Sequence, residues 1–175
     1  TQIVNAVLAH HTNPAGMTSI GAGVQEARST LAPVTGYDDK AMIVFTDGLE
    51  NTPPMIADVL PSIDTRTFAI GLGNEQQVST AALHALANST GGYLLLTGLL
   101  TGGTDDYFRV SKYFLQILAG VTNTNVVVDP SGTVAPGTTV RIPFVLNDAD
   151  IDATVILLTD IPAVHLAVET PAGDV

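Results

Sequence analysis

There is no cysteine and no tryptophan in this chain, only six lysine and arginine residues, and aromatic side chains make up just 5% of it. Each shortage excludes something. Without cysteine there is no disulfide frame, no thiolate metal site and no thiol nucleophile, although that absence does not choose between cytosol and exterior. The scarcity of cations against 17 Asp and Glu leaves a formal charge of -11, which repels phosphate backbones and anionic membrane surfaces at long range. Nucleic acid is not expected as a partner, and cations are. Apolar stretches such as Tyr93 to Leu96 and Val155 to Leu158 fall far short of the roughly 20 residues that a membrane helix needs. What is present is substantial: 46% of the 175 residues are hydrophobic. That is enough to bury a core and to exclude a disordered chain, over a length suited to one domain or to one domain and part of another.

Periodicity divides the chain into two textures. "TQIVNAVLAH" at Thr1 to His10 has helical spacing and follows neither an initiator Met nor a signal segment, so the chain is expected to begin within a domain. Ile20, Val24, Ala27 and Leu31 predict a helix that Thr18 or Ser19 caps and Pro33 stops. "AMIVF" is short and apolar on both faces, which suits a central parallel strand. A loop with Pro53 and Pro54 and a short helix lead to a second buried strand, "RTFAIGLG". A helix with Val78, Ala82, Leu83 and Leu86 on one side then stops at Gly91-Gly92 before a third strand, "YLLLTG". The last helix, "DDYFRVSKYFLQILAGV", has Asp105 and Asp106 in its first turn, where the helix dipole favours them, and an apolar set of Tyr107, Phe108, Phe114, Leu115 and Leu118. This βαβ rhythm predicts an α/β, Rossmann-like parallel sheet flanked by helices.

From about Asn123 the helical spacing disappears. Short β runs, "NVVVD", "TTVRIPFVL", "ATVILLTD" and "AVHLAVET", alternate with the turn signals "PSG", "APG", "NDAD" and "PAG", as at the opening of an antiparallel β-sandwich.

Three motifs carry the chemistry: "GMTSIG" at Gly16 to Gly21, "IVFTDG" at Ile43 to Gly48 and "FAIGLG" at Phe68 to Gly73. In order and spacing, together with "GGYLLLTG", they resemble the von Willebrand factor type A (VWA) domain over roughly residues 1–120. The resemblance implies that residues 1–122 are the C-terminal part of such a domain and that residues 123–175 begin a separate β-sandwich. It implies that Thr18 and Asp47 supply oxygen, directly or through water, to Mg²⁺, with Mn²⁺ or Ca²⁺ as substitutes. The chemistry is consistent, because hard divalent ions take oxygen ligands, and open α/β sheets bind ligands beyond the carboxyl ends of their strands. The other readings of the two residues are a turn aspartate for Asp47 and a helix cap for Thr18. The family's D-x-S-x-S motif and first strand, upstream of all this, do not occur here. As given, the chain supplies two of about five ligands and is expected to bind metal weakly or not at all. The implied function is binding and not catalysis: the cation bridges to an acidic side chain of a protein partner, in an adhesion-type role that goes with an extracellular or cell-surface location. The alternatives are a regulatory or scaffold subunit of a larger enzyme and a degenerate, purely structural VWA domain.

Other candidates are weaker. Asp129, Ser131 and Thr133 make a D-x-S-x-T pattern, but Pro136, Gly137 and the alternation of Val140, Ile142 and Phe144 read as a hairpin turn and strand. His10, His11, His84 and His165 are too scattered for a zinc site. "IGLGNEQ" has Gln76 where a dinucleotide loop needs its third glycine, and no hydrolase, zincin or P-loop motif occurs. Glu50 and Glu75 read as solvated loop carboxylates, with the rim of a site as the alternative. "NDADID" lacks the glycine and distal glutamate of a calcium loop and reads as an acidic turn. Asn88-Ser89-Thr90 is a glycosylation sequon.

Overall fold

The computed structural model describes residues 4–5, 8–9, 16–74, 76–87, 94–170 and 172–174. Its centre is a parallel sheet of β1 (Met42–Thr46), β2 (Thr67–Gly71) and β3 (Leu94–Leu96), in the order β1-β2-β3. Ile43 lies opposite Phe68, Phe45 opposite Ile70, and Ile70 opposite Leu95. Parallel neighbours need crossovers, and here a 3₁₀ helix (Ile56–Ser62) connects β1 to β2 and α2 (Thr80–Ala87) lies between β2 and β3. All three strands fall on the apolar runs of the sequence. β2 is the central strand, and every one of its five residues is buried.

β1 differs from expectation in lying at the edge among the described residues. Its Met42 N–H bonds to Arg66 O and its Thr46 O accepts from Leu72 N–H. The backbone groups of the alternate residues, Ile43 and Phe45, therefore turn to the open side. Their side chains are 40% and 46% exposed. An apolar groove of about 300 Å³ runs along this flank, from Thr18 and Val24 to Thr46.

The twofold alternation of strand side chains divides the core between the two faces. Met42, Val44, Ala69 and Leu96 pack with Ile20 and Val24 of α1 (Ile20–Leu31), Ile56 and Val59 of the 3₁₀ helix, and Leu83, Leu86 and Ala87 of α2. Phe68, Ile70 and Leu95 pack against Tyr113, Ile117 and Val121 of α3 (Thr104–Val121). Burying each large aliphatic side chain contributes about 1.5–3 kcal/mol. The buried stripe of α3 is not the set expected from its sequence: Tyr107, Phe114 and Leu118 face outward, and Leu118 is 54% exposed. Phe114 still reaches Phe45, with ring centroids 6.4 Å apart.

Two glycines permit close approaches. A methyl group on Gly71 would lie 2.6 Å from Leu96 Cδ2 and 2.7 Å from Leu83 Cδ1, and one on Gly21 would lie 2.5 Å from the carbonyl oxygen of Met55. The first lets α2 settle on the sheet, and the second lets α1 cross the backbone that enters the 3₁₀ helix. Arg28 adds a side-chain bond of 2.7 Å to Ser62 O and an ion pair with Asp64.

Of the antiparallel sandwich expected over residues 123–175, the structure has one two-residue ladder, β4 (Glu169–Thr170) with β5 (Gly173–Asp174), and no other strand pairing among the described residues of that segment. Two expected turns are present. Thr138 N–H bonds to Ala135 O at 3.1 Å and Asp150 N–H to Asn147 O at 2.9 Å, so "NDADID" opens with an acidic turn in which Asp150 also accepts from Asn147 N–H. Asp129 forms an ion pair of 2.6 Å with Lys112, in a segment without regular secondary structure that no helix follows among the described residues.

Candidate functional site

Asp47 follows the last residue of β1, at the carboxyl end of the sheet. The turn after it is built by its neighbours. Thr46 Oγ1 accepts from Gly48 N–H at 3.0 Å, and Gly48 takes a φ of +75°, which a residue without Cβ adopts freely. The Asp47 carbonyl accepts from Ser79 N–H at 3.1 Å, tying the turn to the start of α2. One carboxylate oxygen accepts from Leu49 N–H at 3.1 Å. Asp47 is thus the turn aspartate that T-D-G predicts, yet it is exposed and its other oxygen takes no hydrogen bond among the described residues.

Thr18 comes to the same end of the sheet. The cap of α1 is Ser19, whose hydroxyl accepts from Ala22 N–H at 3.1 Å and donates to Pro54 O at 2.7 Å. That removes the capping role from Thr18, whose own hydroxyl has no hydrogen-bond partner among the described residues. Its backbone is held instead: Thr18 N–H donates to Asn51 Oδ1 at 2.7 Å, and Thr18 O accepts from the N–H groups of Asn51 at 3.0 Å and Thr52 at 3.2 Å. Thr18 and Thr46 line one groove. Asp47 is the residue after Thr46.

Glu50 has a role that sequence reasoning missed. It is more than a solvated loop carboxylate: its half-buried carboxylate accepts from Gly21 N–H at 3.1 Å and from Ile56 N–H at 2.9 and 3.0 Å, capping the first turns of α1 and the 3₁₀ helix together. A carboxylate there satisfies orphan donors and the positive ends of both helices. No local signal marks this role, because its partners lie 29 and 6 residues away.

Several other polar groups at this edge are engaged internally. Buried Thr97 accepts from Gly73 N–H at 3.1 Å and donates to Gly98 O at 2.9 Å. Arg109 bonds to Thr97 O at 2.6 Å and Tyr113 to Leu96 O at 2.5 Å. Asp106 accepts from Thr101 N–H at 2.5 Å, from Thr101 Oγ1 at 2.9 Å and from Gly102 N–H at 3.0 Å, with Arg109 3.5 Å away. The Thr101 bonds are the main cause that holds its carboxyl below the ordinary range. Among the groups described above, Asp47 and Thr18 are the ones that keep spare side-chain oxygen.

One carboxylate and one hydroxyl are hard donors that suit an ion keeping most of its water, as Mg²⁺ does. They are few, and no group of three His, Cys, Asp or Glu side chains able to hold a metal exists among the described residues. His84 and His165 are exposed and apart; His10, His11, Glu75 and the sequon at Asn88 lie outside the described residues, as does the Gly91-Gly92 stop. No helix among the described residues is long and apolar enough to cross a membrane. The fold is a mixed α/β one, a three-stranded parallel sheet flanked by helices, compatible with a Rossmann-like arrangement. No family model matches the chain, and neither a curated protein nor a solved structure matches it.

Proposed function

We propose that residues 1–122 act as a VWA-type binding module, with Asp47 and Thr18 contributing to a Mg²⁺ site that also accepts Mn²⁺ or Ca²⁺. The observation that carries this reading is the pairing of the loop before α1 with the loop after β1. It brings an unengaged hydroxyl to the strand end that holds an unengaged carboxylate oxygen. In this role Asp47 supplies the charge, Thr18 a neutral oxygen, and Glu50 the rigidity between the two loops. The ion's remaining positions keep water until an acidic side chain of a protein partner replaces one. A carboxylate approaching a chain of formal charge -11 is repelled at long range, so recognition depends on the cation, and the module binds without catalysing. An adhesion role outside the cell fits this chemistry. We read residues 123–175, with their alternating apolar runs, as the beginning of a separate β-sandwich.

Calorimetric titration with Mn²⁺ tests the reading, on this chain and on a polypeptide extended upstream to include a D-x-S-x-S segment. Asp47→Ala is expected to weaken binding about tenfold or more, the scale of loss at metal-site positions, while Asp129→Ala, which removes only the partner of Lys112, leaves it unchanged. Equal losses for the two variants would overturn the assignment of Asp47.

A further inference from the structure

Resting on the reading of Asp47 and Thr18 as cation ligands, we infer that Asn51 is the positioning residue that holds the Thr18 hydroxyl at the Asp47 end of the sheet. The Thr18 N–H is a donor, so the oxygen of the Asn51 side chain, and not its NH₂, must face it. At 2.7 Å this is among the shortest bonds at the site, and it spans 33 residues of sequence. The N–H groups of Asn51 and Thr52 close on the Thr18 carbonyl from the same side. Both polar groups of the Thr18 residue's backbone are consumed in this way, which leaves its hydroxyl as the free function. Among the described residues just before Thr18 there is no other anchor of this kind: Gly16 and Met17 are exposed and a methyl on Gly16 would meet nothing within 4 Å.

The other end of the connection is firm. Asn51 stands four residues after Asp47 on a segment pinned by Asp47 O to Ser79 N–H, by Leu49 N–H to the Asp47 carboxylate and by Glu50 to two helix starts. Asp47, Asn51 and Thr18 are thereby one mechanical unit. The Asn51 side chain is exposed, so truncating it opens no cavity and spares the core.

The test uses the whole chain, isotopically labelled, as wild type, Asn51→Ala, Asn51→Asp and Asp47→Ala. Amide hydrogen exchange at Thr18 is measured without metal, and Mn²⁺ affinity is measured from paramagnetic broadening. Asn51→Ala is expected to speed exchange at Thr18 and to weaken Mn²⁺ binding about 10- to 100-fold, as loss of an outer-shell partner does. Asn51→Asp, which restores an acceptor, is expected to recover both; a merely structural role would not require this joint rescue. Asp47→Ala should weaken Mn²⁺ binding and leave Thr18 exchange slow. Binding that depends on Asp47 but is indifferent to Asn51→Ala, or that Asn51→Asp fails to restore, overturns the positioning role alone. Binding indifferent to Asp47→Ala overturns the cation reading itself, and the positioning role falls with it.

Discussion

Replacing Glu50 by alanine removes one carboxylate and strands two backbone donors at once. Gly21 N–H and Ile56 N–H both point to that carboxylate, at 3.1 Å and at 2.9 to 3.0 Å, and each belongs to the first turn of a helix packed on the main core. A hydrogen bond to a charged group contributes about 1.5–3 kcal/mol, and a buried donor left without a partner costs about 1–3 kcal/mol. Glu50 is only half-buried, so water reaches part of the vacated space. A loss of roughly 2–4 kcal/mol is therefore expected, a large part of the stability of an ordinary domain. Glu50→Gln keeps one acceptor and should lose about half as much. Urea unfolding followed by circular dichroism measures the effect as a lower midpoint at an unchanged slope. Glu26→Ala, an exposed carboxylate on α1, is the control and should stay within about 0.5 kcal/mol of wild type. If Glu50→Ala also stays within that margin, the carboxylate is not the clamp between α1 and the 3₁₀ helix.

Two further outcomes follow from the same geometry. Asp106 has its carboxyl lowered by the Thr101 and Gly102 donors and by Arg109, so its stabilisation is present above the unfolded value, about 4, and is lost as pH falls through the lower folded value. Unfolding midpoints of wild type and Asp106→Asn should therefore differ at neutral pH and converge on acidification; a constant gap would refute the assignment. The edge of β1 that is open among the described residues, with Ile43 and Phe45 exposed and no charge along Met42–Thr46, is a template for further strand pairing. The chain should self-associate as its concentration rises, and Phe45→Lys should suppress this in sedimentation velocity; a wild type that stays monomeric throughout would contradict it.

The local signals carry much of the fold. Ile20–Leu31 is a helix where its apolar spacing, a serine cap and Pro33 place it, and the three sheet strands fall on the three β-rich apolar runs. These elements depend on contacts within a turn or on side-chain alternation, which is why they are legible in the chain itself. Parallel pairing follows as well, since the connections are long enough for crossovers.

What needed the tertiary structure are the decisions made by residues about 30 positions apart. The sequence alone left Thr18 and Ser19 as equal candidates for the cap; the seat of Ser19 against Pro54 chose between them and freed the Thr18 hydroxyl. It described Glu50 as a loop carboxylate, because nothing local shows two helix starts converging on it. It suited "AMIVF" to a central strand, since a two-faced apolar run has the same pattern with one neighbour as with two. On α3 the apolar residues outnumber the places available against the sheet, so Ile117 is buried and Phe114 and Leu118 are left outward. Periodicity states which residues share a helix face; only the direction from which the sheet approaches decides which face is covered.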